Sequence, residues 1–78
     1  MRYRATITFK ILSTHPDFKE SMRGKTLEFT DVYSFDPEYG YDKEDRERYM
    51  KRDLALVAGG GYNADHIYGV SYKFERMR

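Results

Sequence analysis

The sequence predicts an α+β fold: a three-stranded antiparallel sheet in the order 2-1-3, with one main helix packed on one of its faces and room for a further short helix at 15–23. Three stretches alternate apolar and polar residues with the two-residue period of a half-buried strand. A fourth stretch, between the second and third of these, repeats its apolar residues at helical spacing. With 78 residues there is material for one core, so residues 1–78 are expected to form a single domain.

The first strand is the plainest. Tyr3, Ala5, Ile7, Phe9 and Ile11 alternate without error with Arg2, Arg4, Thr6, Thr8 and Lys10. Residues 13–24 follow, where His15-Pro16 disfavours helix before the proline, while Phe18 and Met22 stand one helical turn apart and Gly24 closes the stretch. Short helix and long hairpin loop are both open there. From Lys25 to Phe35 alternation resumes, with Leu27, Phe29, Tyr33 and Phe35 on one face and Asp31 as the exception on it, which suggests a bulge near Asp31.

Asp36-Pro37-Glu38-Tyr39-Gly40 breaks that strand with turn residues. Asp42, followed three residues later by Asp45, can cap a helix running to about Ala58, with Tyr49, Met50, Leu54 and Val57 as its apolar stripe and Leu56 and Ala58 widening it. Gly59-Gly60-Gly61 ends the helix. The last strand is expected over His66–Arg76, with Tyr68, Val70, Tyr72 and Phe74 on its core face and Gly69, Ser71, Lys73 and Glu75 opposite. A hairpin followed by a crossover helix that returns strand 3 beside strand 1 gives the order 2-1-3, with strand 1 central. The polar sheet face then carries Arg2, Arg4, Lys10 and Lys73 among threonines and serine.

Composition bounds the function. The chain has no cysteine and two histidines far apart in sequence, which leaves no disulfide framework and argues against a structural metal; no cofactor is expected. A core this small supplies about 3–5 kcal/mol, and association with another chain is the reinforcement that remains. No run of some 18 apolar residues and no charged-then-apolar leader occurs, so neither a membrane span nor a signal peptide is expected, Met1 is read as the start of the mature protein and the location as cytoplasmic.

The net charge of +1 hides segregation: six Lys/Arg against two acids in residues 1–25, two against eight in 26–47, and six against three in 48–78. Whole-molecule nucleic-acid binding and whole-molecule nucleic-acid mimicry both fit this poorly.

The leading candidate site is the acidic, tyrosine-bearing stretch Asp36, Glu38, Tyr39, Tyr41, Asp42, Glu44, Asp45 and Glu47, joined by the loop residue Tyr62. Six acids in twelve residues beside aromatic rings suit a basic partner surface. Acids in a first helical turn also stabilise the helix, and Glu44–Arg48 and Glu47–Lys51 are favourable i,i+4 pairs, so helix electrostatics is the competing account. It leaves Tyr39 and Tyr41 unexplained, since no core demands them in a turn. The alternative site is the basic sheet face of Arg2, Arg4, Lys10 and Lys73, able to track a phosphate backbone but expected to lack exposed aromatics for base stacking. The competing account there is an ordinary solvated face with cross-strand charge pairs. The glycine run follows a helix end and lacks Gly-Lys-Ser/Thr, so it reads as a left-handed helix termination and not a phosphate loop. His66 beside Asp65 is a weak metal candidate, and no nucleophile, base and orienting group stand in an enzymatic pattern.

In size, lack of cysteine and the segment SFDPEYGYDKEDRER (Ser34–Arg48), the chain resembles small phage-encoded host-takeover proteins, anti-CRISPR inhibitors among them. The likeness spans the whole chain and is one of style, without a shared motif. It implies a non-enzymatic inhibitor, in the host cytoplasm, that docks stoichiometrically on a larger protein or ribonucleoprotein complex. Direct nucleic-acid binding and a homodimer paired through the exposed edge of strand 2 or 3 are the other partner expectations.

Overall fold

The computed structural model describes every residue except Tyr62 and Asn63. Its elements are β1 (Arg2–Ile11), a 3₁₀ turn (Glu20–Met22), β2 (Leu27–Ser34), a second 3₁₀ turn (Pro37–Tyr39), α1 (Lys43–Ala58) and β3 (Ile67–Met77). The sheet has the predicted order β2-β1-β3, and both pairings are antiparallel.

The alternation in β1 fixes which face is buried. Ala5, Ile7, Phe9 and Ile11 pack beneath α1, which lowers Met50, Leu54 and Ala58 onto them; Tyr33 and Ile67 complete the buried cluster from the flanking strands. The helix seats one row of residues spaced by four. Tyr49 and Val57, expected in that stripe, are exposed because they flank the row. One helix is narrower than three strands, so Leu27, Phe29, Tyr72 and Phe74 on the outer strands, and Phe35 just past β2, are only partly covered.

Two further expectations are corrected. The β1–β2 register runs unbroken from Arg2↔Ser34 to Phe9↔Leu27, so no bulge occurs at Asp31. The irregularity lies on the other side of β1, where Thr8 pairs with Ser71 but Lys10 pairs with Tyr68. Phe9 therefore faces two residues, Gly69 and Val70, with Gly69 at φ +61°, the left-handed conformation that such a bulge requires and glycine adopts without strain. The extra residue reverses the side-chain parity. On its N-terminal side Ile67 is the buried residue and Tyr68 (43 % exposed) turns to the polar face, while Val70, which keeps the parity of Tyr72 and Phe74, is 38 % exposed at the bulge itself.

Residues 13–24 form turns with a single 3₁₀ segment and no α-helix. The cause is local: His15 precedes Pro16, and its Nδ1 accepts the Asp17 backbone N–H at 3.0 Å, closing a turn where a helix would start. The His15 ring is buried and its Nε2 donates to the Ala58 carbonyl at 2.7 Å, giving a partner to a backbone oxygen in the last turn of α1. The helix terminates as expected in left-handed glycine: the Gly61 N–H bonds Leu56 O at 2.7 Å and the Gly60 N–H bonds Val57 O at 3.1 Å, with Gly60 at φ +89°.

Candidate functional site

The acidic, tyrosine-bearing segment is the connection from β2 to α1, and backbone chemistry sets its course. Phe35 is tied to the first residue of the chain, its N–H to Met1 O at 2.7 Å and its carbonyl accepting the Met1 ammonium at 3.0 Å. Asp36 then opens the 3₁₀ turn, Oδ1 accepting the Glu38 N–H at 2.9 Å with Pro37 at the first turn position. Gly40, at φ +68°, reverses the chain. Asp42 caps α1 through the Asp45 N–H at 2.8 Å, and the Arg46 guanidinium holds the Tyr41 carbonyl while lying 5.7 Å from the Tyr3 ring centre.

This course gathers aromatic rings at one end of the molecule. Phe35 is the hub, edge-to-face with Tyr3 (5.9 Å), Tyr41 (6.4 Å) and Tyr49 (5.9 Å), and Tyr39 lies tilted by 42° against Tyr41. Tyr39, Tyr41 and Tyr49 are 74, 53 and 57 % exposed. Between them opens a cleft of about 380 Å³ lined by Ser34, Phe35, Asp36, Tyr39, Tyr41, Asp45 and Tyr49. Four of the predicted residues thus meet in one place: Asp36, Tyr39, Tyr41 and Asp45.

The remaining predicted residues separate. Asp42 is spent on the helix cap, Glu38 and Glu44 are exposed outside the cleft, and Tyr62 lies outside the described residues. Glu47 faces a second cleft of about 440 Å³, on the other flank of the helix start, with Lys43, Arg46 and Arg76 around Tyr3, Met50 and Phe74. Arg48 pairs with Asp45 at 3.2 Å in place of the expected Glu44, and the Lys51 ammonium lies 5.7 Å from the Tyr72 ring centre. Phe35 and Tyr49 are site residues that sequence reading missed by assigning both to the core. Tyr49 follows Asp45 by four residues, a spacing that puts the two on one helix face and could have found it.

On the opposite face of the sheet, Arg2, Arg4, Lys10 and Lys73 stand in the expected positions but are not alone. Arg4 pairs with Glu75 at 3.2 Å, Glu28 stands opposite Thr8, and Thr6 shares a hydroxyl–hydroxyl hydrogen bond with Thr30 at 2.9 Å. The β3 bulge adds Tyr68 beside Lys10, so the face carries one exposed aromatic ring that the expected alternation had assigned to the core.

The two histidines, 51 positions apart in sequence, meet in space with ring centres 6.4 Å apart. Both His15 nitrogens are engaged by backbone groups, and His66 Nδ1 shares a 2.8 Å hydrogen bond with the Thr14 hydroxyl. Among the described residues no three His, Cys, Asp or Glu side chains group to hold a metal ion, and no helix is long and apolar enough to cross a membrane. Compared with protein-family models, curated proteins and solved structures, the chain matches none of them.

Proposed function

We propose that this protein is a non-enzymatic protein-binding module, a stoichiometric inhibitor that docks its acidic, tyrosine-rich β2–α1 connection onto a basic surface of a larger assembly. The observation that carries the reading is the cleft itself: three exposed tyrosines and two carboxylates converge where neither core packing nor helix capping needs all of them. Tyrosine offers large contact area with a polar tip at low entropic cost, the usual material of an interface formed without a deep pocket. A basic counter-surface supplies the complementary charge and speeds encounter. The stylistic likeness to phage inhibitors suggests a nucleic-acid-handling target, CRISPR effectors among them, because such complexes expose Lys/Arg-rich channels.

The test is capture from a nuclease-treated bacterial lysate, eluted in salt steps and read by mass spectrometry. The wild-type chain is expected to retain one large complex, and the triple substitution of Asp42, Glu44 and Asp45 by Ser to lose it with an unchanged circular dichroism spectrum. Serine keeps the helix cap at position 42, so the fold is spared. Equal capture by the variant overturns the reading.

Tyr68 favours a second reading, nucleic-acid binding on the basic sheet face, because it puts one stacking surface next to Lys10. Glu75 and Glu28 weaken it by diluting the positive charge. In the same assay it expects nuclease to remove everything captured, and Arg2, Arg4 and Lys10 changed together to Ala to abolish binding.

A further inference from the structure

The cleft between Phe35, Tyr39, Tyr41 and Tyr49 has a chemistry narrower than a general acidic surface. We infer that it receives the guanidinium of a single arginine side chain projecting from the partner. The inference rests on the docking reading above and specifies what that docking grips.

Three features select the occupant. The walls are π-systems, whose faces attract a cation and whose apolar bodies suit the methylene stem behind it. Two carboxylates line it, Asp36 at the exit of β2 and Asp45 in the first turn of α1. Each has committed Oδ1, Asp36 to the Glu38 N–H and Asp45 to Arg48, and Oδ2 of each accepts no hydrogen bond among the described residues. Finally, residues 36–45 carry five acids against Lys43, so the mouth of the cleft attracts positive charge.

Arginine fits this set better than lysine. A planar guanidinium can lie against a tyrosine face while its in-plane N–H groups reach carboxylates at the rim. A lysine ammonium is a compact and strongly hydrated charge that loses more on entering a half-dry aromatic cleft. At about 380 Å³ the cleft admits one side chain and no folded element, so the anchor is a single residue. The chain already makes such contacts internally, with Arg23 over Phe18 at 5.2 Å and Arg46 over Tyr3 at 5.7 Å.

The experiment is an NMR titration of the full chain with the N-acetylated, C-amidated tripeptide Gly-Arg-Gly, and with counterparts carrying citrulline or lysine in the middle. The arginine peptide should shift the ring resonances of Tyr39, Tyr41 and Tyr49 to saturation, with a Kd on the order of 1 mM. Citrulline has the shape without the charge and should leave the rings unmoved; lysine should bind at least about fivefold more weakly. Tyr39→Ala and Asp45→Asn should each remove the arginine effect, and because Tyr39 is largely exposed its variant keeps the fold. Equal shifts with citrulline, lysine binding as tight as arginine, or arginine shifts confined to the Glu38 and Glu44 amides would each overturn the inference. If the triple Ser variant loses its captured complex while the arginine peptide leaves the rings unmoved, the docking reading stands and the arginine anchor falls. If capture survives those substitutions, the docking reading falls independently.

Discussion

Tyr33 donates its hydroxyl to Asp53 Oδ2 over 2.6 Å, joining β2 to the flank of α1. Burial first, then the hydrogen bond to Asp53, favours the neutral phenol and pushes its ionisation upward. The folded state therefore holds the proton more tightly than the unfolded chain, whose tyrosines ionise near about pH 10. Stability from this group is complete below that pH and lost as pH rises beyond it. The urea midpoint should fall between about pH 9 and about pH 11, and Tyr33→Phe should make the fall shallower. Tyr72, also raised by burial, keeps some slope in the variant; an unaltered slope would remove Tyr33 from the account. Residue-scale chemistry of this kind was only partly legible in the sequence. Asp31 stood out as an acid on an apolar face, and the bulge inferred from it was the wrong explanation. Its Oδ1 accepts the Val32 backbone N–H at 2.8 Å, so a side chain occupies an amide of an edge strand. That lessens the value of this edge for pairing with a second copy.

Elements were more legible than their partners. β1 and α1 could be read almost to the residue, because an unbroken period of two and an Asp cap are local signals. β3 could be found, and its C-terminal half faced, with Tyr72 and Phe74 on the core side, but not its start: a bulge shifts parity by one, and its local sign was Gly69 inside an otherwise alternating strand, a residue easily read as a neutral member of the polar face. The anchoring of the α1 terminus by His15 was invisible because it joins positions 43 apart. The same junction makes a prediction that separates backbone from packing. Gly60 and Gly61 both have positive φ, +89° and +88°. A β-carbon at Gly60 would stand 2.9 Å from Pro16 Cγ, whereas one at Gly61 meets nothing within 4 Å. Gly61→Ala should cost about 1–2 kcal/mol from the left-handed backbone alone. Gly60→Ala should cost more, since the His15–Pro16 loop must also move off the end of α1. Urea denaturation of the two variants decides it, and equal costs would mean that the loop yields freely.

At the scale of the molecule the protein is a slab of 46 × 22 × 16 Å. Its radius of gyration of 13.8 Å exceeds the ~11.5 Å typical of a compact chain of this length, as expected when a single helix covers a long three-stranded sheet. The cost of that shape is a thin core, in which Ile7, Met50 and Leu54 are the largest side chains wholly shielded from water and no disulfide supports them. Leu54 stands midway along the row that joins helix to sheet. Removing its branched side chain forfeits about 2–5 kcal/mol in a well-packed site, against the ~3–5 kcal/mol that a core of this size provides. Leu54→Ala should therefore leave a substantial fraction of the chain unfolded at room temperature, seen as loss of amide dispersion and of a cooperative thermal transition. Tyr39→Ala, far from that row, should melt with the wild type. If Leu54→Ala also melts cooperatively at the wild-type temperature, the helix–sheet seam is not what holds the fold, and the stability must reside in the sheet and in the ring cluster around Phe35.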